Sequence, residues 1–144
     1  MDSTCNNDRQ ITKENLIAPV INELEQVEKI LRSHTKTASP LIREINTYIH
    51  SSGGKRLRPA LLLLVAKLLG PPETTLAKLG AVVELIHAAT LVHDDVIDNA
   101  DIRRGRPSVN KCWGNPKTVL MGDWMYMTVF QIALELRNFK VLDI

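Results

Sequence analysis

The chain has 144 residues, 44% of them hydrophobic and 4% aromatic, with 18 lysines and arginines against 16 aspartates and glutamates. This composition is that of one small globular domain or part of a larger one, and a formal net charge of +2 is too small to indicate nucleic acid as a general partner. The two cysteines, Cys5 and Cys112, have no spacing that suits a disulfide framework or a zinc site.

The first ten residues, MDSTCNNDRQ, are polar, and we expect them to be disordered. They lack the basic region and apolar core of a secretory signal. The longest apolar run, residues 57–69, contains Arg58 and Lys67 and is too short to cross a bilayer. These features, with the cysteine usage, predict a cytoplasmic protein without a transmembrane segment.

From residue 11 onward, apolar residues recur at the spacing of amphipathic helices. The pattern predicts helices over residues 11–31, 41–48, 59–69, 75–99 and 117–138. The segment 59–69 is apolar on almost every face, so we expect that helix to be central, with Pro59 in its first turn. Residues 99–116 predict a long loop with at most a short helical turn. No strand-like alternation bounded by hairpin turns is evident, so the predicted class is all-α.

Residues 139–144 begin a further apolar segment that has no stop signal. An apolar surface is therefore expected to need another segment or another chain to cover it. A naturally short helical protein, with its last helix docked on a partner, is the alternative.

Three aspartates, Asp94, Asp95 and Asp98, end the fourth predicted helix. Asp94 and Asp98 share a stripe with His87, and Asp95 lies about 100° round the helix. Clustered acids near a helix C-terminus oppose the helix dipole, so a cation should compensate them. Mg²⁺ typically uses one or two carboxylates plus phosphate oxygens, which suits Asp94 and Asp98, with Asp95 bridging or outside the first ligand sphere. A solvated helix end is the alternative.

Two basic clusters lie on either side of this helix in sequence. The first, GGKRLRP at residues 53–59, places Lys55 and Arg58 at a helix start, where free N–H groups and the dipole favour anions. It is not a Walker A loop, because Arg56 stands where Ser or Thr would be. The second contains Arg103, Arg104 and Arg106. Each cluster alone is more often a solvated loop. Together with the aspartates they predict a ligand set of two phosphorylated groups with apolar tails.

The segments GGKRLRP and ELIHAATLVHDDVIDNADIRRGRPSVN, residues 53–59 and 84–110, closely resemble the trans-polyprenyl diphosphate synthases, the family of farnesyl and geranylgeranyl diphosphate synthases. DDVID matches the family's first aspartate-rich motif. The resemblance implies an isoprenoid-synthase-type helical bundle, with residues 11–144 as its N-terminal half. It also implies Mg²⁺ as cofactor, with isopentenyl diphosphate and an allylic prenyl diphosphate as substrates.

The resemblance also implies roles for single residues. Asp94, Asp95 and Asp98 would bind the magnesium that bridges the allylic diphosphate, and Arg103 would contact that diphosphate. The isopentenyl diphosphate site would be formed by Lys55, Arg58, His87 and Arg104, although His87 read alone is more often a satisfied core histidine. Arg56 and Arg106 are expected to be surface charges or to make loop hydrogen bonds.

Product length in this family depends on pocket residues before the first aspartate, here Ile86, Ala89 and Thr90. The small Ala89 favours a product longer than farnesyl. Residues 121–130 would form the deeper wall of the pocket, with ordinary core packing as the alternative.

The implied reaction is ionisation of the allylic diphosphate to a carbocation, attack by isopentenyl diphosphate, and loss of a proton, with no side-chain nucleophile. Full-length members carry a second aspartate-rich motif and a further lysine on later helices. We therefore expect this chain to need a C-terminal half or a second subunit, in a homo- or hetero-oligomer, and to be inactive alone. The alternatives are a non-catalytic diphosphate-binding or regulatory subunit of a heteromeric prenyl synthase, and a terpene cyclase, against which the predicted second diphosphate site argues.

Overall fold

The computed structural model describes residues 12–34, 39–70 and 73–138. Within them lie seven α-helices and one short two-stranded ribbon. In chain order these are α1 (Lys13–Ile17), a 3-10 turn (Ala18–Val20), α2 (Ile21–Ser33), α3 (Pro40–Ser51), α4 (Leu57–Leu69), α5 (Glu73–Ile97), β1 (Ile102–Arg103), β2 (Arg106–Pro107), α6 (Val109–Trp113) and α7 (Asn115–Glu135). The all-α class is confirmed. The predicted disorder of residues 1–10 and the apolar segment 139–144 lie outside the described residues.

Local sequence explains where two of the central helices begin and end. Ser39 caps α3, because its side chain accepts a hydrogen bond from the Ile42 N–H at 3.4 Å, and Pro40 follows in the first turn. Gly70 ends α4 in the left-handed region, φ 74°, and its N–H bonds the Ala66 carbonyl at 3.0 Å. The start of α4 at Leu57 is two residues earlier than predicted, since Pro59 is tolerated where first-turn N–H groups have no partner within the helix.

The core consists of two clusters joined by α5. The first packs α2 and α4 against the first half of α5 and the end of α7. The second packs α3, α6 and the start of α7 against the second half of α5. Its fully or nearly buried members are Ile45, Ala89, Val92, Val109, Met121 and Met125. The central helix of the described residues is therefore α5.

The expectation that residues 59–69 form the central helix is wrong. Only one side of α4, with Ala60 and Leu63, is buried in the core. Its other side is open to solvent, with Leu61 64% exposed and Leu68 86% exposed. A helix that is apolar on every side is typical of a buried position, so the open side of α4 is an exposed apolar surface suited to packing against another element.

One described helix, Thr75–Ile97 within α5, is long and apolar enough to cross a membrane by length and composition. Half of that stretch is buried inside the fold, where α5 contacts α2, α4 and α7. Its apolarity is explained by this packing on several sides. The cytoplasmic location stays a prediction.

Candidate active site

The C-terminal end of α5 separates the three aspartates into two environments. Asp94 and Asp98 are exposed and lie one helical turn apart, with the Asp98 N–H bonded to the Asp94 carbonyl at 2.8 Å. Asp95 is only 3% exposed. Arg103 donates to one Asp95 carboxylate oxygen through Nε, at 2.7 Å, and also through Nη2. The compensating cation that the sequence requires is thus Arg103, and among the described residues its ion pair is with Asp95.

The described residues bring no group of three His, Cys, Asp or Glu side chains close enough to hold a metal ion. They do present Asp94 and Asp98 on one exposed face, with no ion pair to either among the residues described. Two available carboxylates fit Mg²⁺, which commonly takes its remaining ligands from water and phosphate. A place for Asp95 among the metal ligands stays a prediction.

A β-hairpin, β1–β2, connects the aspartates to the first basic cluster. Ile102 pairs with Pro107 and Arg103 with Arg106, and the two residues between the strands, Arg104 and Gly105, have φ of 53° and 74°. Two positive φ values in a two-residue loop are the requirement of a type I′ turn. Arg103 thereby reaches Asp95, while Arg104 Nη1 donates to the Gly53 carbonyl. The hairpin holds the acidic and the basic elements side by side.

The residues predicted to bind isopentenyl diphosphate come together in one cleft. Its lining includes Lys55, Arg58, His87 and Arg104. They come from residues 52–56 between α3 and α4, here called the glycine loop, and from α4, α5 and the hairpin. Partial burial, followed by the nearby Arg58 charge, lowers the pKa of His87, so its imidazole is neutral at neutral pH. Three permanent or near-permanent cations and a neutral histidine thus face a common space, an arrangement suited to a phosphorylated anion.

The structure differs from the sequence expectation for Arg56. Its side chain is only 21% exposed and forms ion pairs with Glu28 on α2 and Glu84 on α5. The interpretation of Arg56 as a surface charge is therefore wrong. Arg106 makes its contacts with the end of α3: its Nη1 donates to Ser51 Oγ at 2.8 Å, and its Cζ lies 4.3 Å from the Tyr48 ring centroid.

Two of the three predicted product-length residues share the face of α5 that carries Asp94. Ile86 is exposed and Thr90 is half-buried, and they precede Asp94 at steps of four residues. Ala89 lies on the other side, completely buried among core residues of α3 and α7. Among the described residues the small size of Ala89 serves helix packing, and its role in setting product length stays a prediction.

Residues 121–130, expected as the deeper wall of the pocket, are divided between core and surface. Met121 and Met125 are fully buried in the second core cluster. Met127 and Phe130 are exposed on the outer side of α7. Core packing accounts for the two buried methionines.

Two acidic residues near the cleft were missed by sequence reasoning. Glu84 stands three residues before His87, a helical spacing that could have placed both side chains on one side of α5. Glu28 offers no comparable signal, because its partner Arg56 is 28 positions away in sequence.

A family model described as polyprenyl synthetase matches residues 39–144. The chain belongs to the polyprenyl synthetase family. The chain is 36% identical over 133 residues to the all-trans-nonaprenyl-diphosphate synthase (geranyl-diphosphate specific) of Rhodobacter capsulatus, covering 90% of this chain and 40% of that relative. It is 42% identical over 104 residues to the octaprenyl diphosphate synthase of Escherichia coli, covering 72% of this chain and 32% of that relative.

Solved structures of polyprenyl synthetases share the fold. A decaprenyl diphosphate synthase from Rhodobacter capsulatus superposes with a TM-score of 0.85 at 36% identity, covering 92% of this chain and 41% of that one. A polyprenyl synthase from Caulobacter crescentus, complexed with calcium and isoprenyl diphosphate, gives a TM-score of 0.87 at 31% identity, covering 92% and 40%. The isoprenoid-synthase-type bundle is thereby confirmed. The chain spans about 40% of the length of the first of these relatives and matches their N-terminal part.

Proposed function

We propose that this polyprenyl synthetase carries the N-terminal half-site of an enzyme that condenses isopentenyl diphosphate with an allylic prenyl diphosphate. The observation that carries the proposal is the convergence of Lys55, Arg58, His87 and Arg104 on one cleft. The hairpin that supplies Arg104 is bonded through Arg103 to the aspartate-rich end of α5. A cationic site and a carboxylate pair are thus available for two diphosphates.

The two diphosphates would be bound in different ways. The cleft would hold isopentenyl diphosphate through direct hydrogen bonds and charge, with Arg58 and Arg104 able to donate to two oxygens at once. Asp94 and Asp98, with a contribution from Asp95 in the family pattern, would hold Mg²⁺, whose charge would stabilise the departing diphosphate of the allylic substrate. Arg103 engages Asp95 through two of its nitrogens, which leaves Nη1 to donate to the allylic diphosphate.

The proposed product is longer than farnesyl. Three of the relatives named above are octaprenyl, nonaprenyl and decaprenyl diphosphate synthases. The Ile86 and Thr90 face of α5, beyond Asp94, is the apolar surface along which a growing chain would lie. Thr90 Oγ1 donates to the His87 carbonyl at 2.8 Å, which satisfies its hydroxyl and leaves its methyl group for the apolar chain.

The site is proposed to be completed by a C-terminal half, either in the same polypeptide or as a second subunit. The chain spans about 40% of the relatives' length, and the open sides of α4 and α7 are apolar. The second aspartate-rich motif and lysine of the family would come from that half. The chain alone would then be inactive, and the active form would be a homo- or hetero-oligomer.

A non-catalytic, diphosphate-binding subunit is the second candidate. The ion pair of Asp95 with Arg103 favours it, because one of the three motif aspartates is already engaged by a side-chain cation. It predicts diphosphate affinity with no turnover in any combination of parts.

The deciding experiment is a condensation assay with labelled isopentenyl diphosphate, an allylic diphosphate and Mg²⁺. The chain is assayed alone and together with the C-terminal part of a full-length relative. Product is expected only in the combined sample, with Asp94→Asn and Asp98→Asn abolishing it. Asp101→Asn is the matched control, because Asp101 is an exposed acid in the same segment whose partner is Lys111. Two results together would exclude the catalytic proposal. The combined sample would be inactive, and Asp94→Asn would bind the allylic diphosphate with Mg²⁺ as tightly as the unaltered chain does.

A further inference from the structure

Arg56 lies between the two cleft cations Lys55 and Arg58 in sequence, but its side chain points inward. It pairs with Glu28 of α2, with Glu84 of α5 at 2.8 Å, and its Nη2 lies 3.3 Å from His50 Nδ1 of α3. Burial, followed by the Arg56 charge, lowers the pKa of His50 and so favours the neutral ring, whose Nδ1 can then accept from Arg56. One guanidinium therefore connects the start of α4 to three other helices.

The backbone at this point is also unusual. Arg56 has φ 48°, the left-handed region that residues other than glycine rarely adopt. A Cβ on the neighbouring Gly54 would lie 2.6 Å from Arg56 Nη1, so glycine is needed for the guanidinium to occupy its place. Such a backbone conformation persists only where surrounding contacts stabilise it, and the ion pairs of Arg56 with Glu28 and Glu84 provide these contacts.

The location of these contacts matters for the cleft. The Arg56 carbonyl accepts the Ala60 N–H at 3.1 Å, which makes Arg56 the first residue of the α4 hydrogen-bond pattern. Lys55 precedes it and Arg58 follows in the first turn, so the direction of both exposed side chains depends on the backbone at Arg56. Glu84 stands one turn before His87 on α5. The Arg56–Glu84 ion pair therefore positions the glycine loop beside the turn of α5 that carries His87.

We propose that Arg56, held by Glu28 and Glu84, is a positioning residue that fixes Lys55 and Arg58 relative to His87 and so sets the affinity of the cleft for a diphosphate. This inference rests on the proposed function, since the ligand is the diphosphate of isopentenyl diphosphate. Glu84 lines the cleft beside the cations, yet it is an acid in an anion site. Its place there is explained by its role in orienting Arg56.

The two possible roles of Glu84 predict effects of opposite sign. If only overall charge mattered, Glu84→Gln would strengthen binding of an anion by removing a negative charge from the cleft. If Glu84 orients Arg56, the same change loosens the loop, and we expect affinity to fall about tenfold, the size of a typical coupling within one ion-pair network. Arg56→Gln is expected to have a similar effect, and the double variant should be little weaker than either single one.

The measurement is calorimetric titration of the 144-residue chain with inorganic diphosphate at constant ionic strength. Glu23→Gln is the matched control. Glu23 of α2 pairs with Lys67 of α4 at 2.8 Å, as Glu28 of α2 pairs with Arg56 at the start of α4, but neither Glu23 nor Lys67 lines the cleft. Glu23→Gln should lower the unfolding temperature without changing affinity. Arg56→Lys should bind better than Arg56→Gln, and Arg56→Gly, which accepts the left-handed conformation without strain, should fold but bind weakly.

The outcomes separate this inference from the proposed function. If Lys55→Ala weakens binding while Glu84→Gln binds as tightly as the unaltered chain, or more tightly, the positioning role is excluded and the diphosphate site stands. If the unaltered chain and Lys55→Ala bind diphosphate equally poorly, the cleft of this chain is not a diphosphate site, and both the positioning role and the assignment of Lys55, Arg58, His87 and Arg104 to isopentenyl diphosphate fail.

Discussion

Asp94 and Asp95 are neighbours in sequence, but their surroundings give them different tasks. Asp95 is buried against Arg103, so Asp95→Asn weakens a charge-assisted pair and should lower the free energy of unfolding by about 2 kcal/mol. Asp94 is exposed near a helix C-terminus, where its charge is unfavourable, so Asp94→Asn should change stability by less than about 0.5 kcal/mol, in the stabilising direction. Urea unfolding followed by circular dichroism measures both. Equal losses in the two variants would contradict the assignment.

His87 should make diphosphate affinity depend on pH. Its pKa in the free protein is lowered, so the ring is neutral at pH 7, and a bound anion favours the protonated ring and raises that pKa. Binding therefore takes up a proton, and affinity should rise as pH falls from about 8 to 6. The diphosphate also titrates in this range, so the informative quantity is the difference between the unaltered chain and His87→Gln. Identical pH profiles for the two would exclude a role for His87 in binding.

At the scale of elements, the hairpin β1–β2 depends on Gly105, whose φ is 74°. Gly105→Ala forces a side chain into the left-handed region and should cost about 1 kcal/mol of stability. The change should also weaken diphosphate binding, because Arg104 lies in the same turn and reaches the cleft. Gly105→Asn, which tolerates this conformation better, is the control and should retain most of both properties. Unfolding and titration experiments on the two variants test this, and an alanine variant that matches the asparagine variant would refute it.

Helical periodicity predicted most of the elements, because α2, α3, α5 and α7 each keep a regular set of apolar positions against the core. The hairpin was missed since strands of two residues are too short to show alternation. The predicted central position of α4 was wrong, because a pattern that is apolar on every side does not tell which side packs against the core.

The motifs predicted the cleft residues, but long-range partners had no local signal. Periodicity cannot show that Arg56 pairs with Glu28 or that Arg103 selects Asp95, because these contacts join segments brought together only by the fold. Ala89 illustrates the same limit. Its position one turn before the aspartates is visible in the sequence, whereas its burial against α3 and α7 depends on helix packing.

At the scale of the whole molecule, α4 and α7 each present apolar residues to solvent. On α4 these include Leu61 and Leu68, and on α7 Leu120, Met127 and Leu134. The residues of each set are seven positions apart, which is about two helical turns, and so form a stripe along their helix. An isolated domain rarely leaves several such stripes open. This is consistent with a chain that matches only the N-terminal part of its relatives.

The open stripe of α4 gives a prediction about assembly. Leu68→Gln and Leu61→Gln replace side chains that are 86% and 64% exposed, so each should change the stability of the chain alone by less than about 0.5 kcal/mol. If the stripe is covered when the C-terminal half is added, burying a glutamine there without partners should weaken association by about 1 to 3 kcal/mol. Leu16→Gln, on α1 and 53% exposed, is the control and should leave association unchanged. Association is measured by titrating the chain with the C-terminal part of a relative and following complex formation by light scattering. Equal association for all three variants and the unaltered chain would show that another surface, such as the stripe on α7, meets the second half.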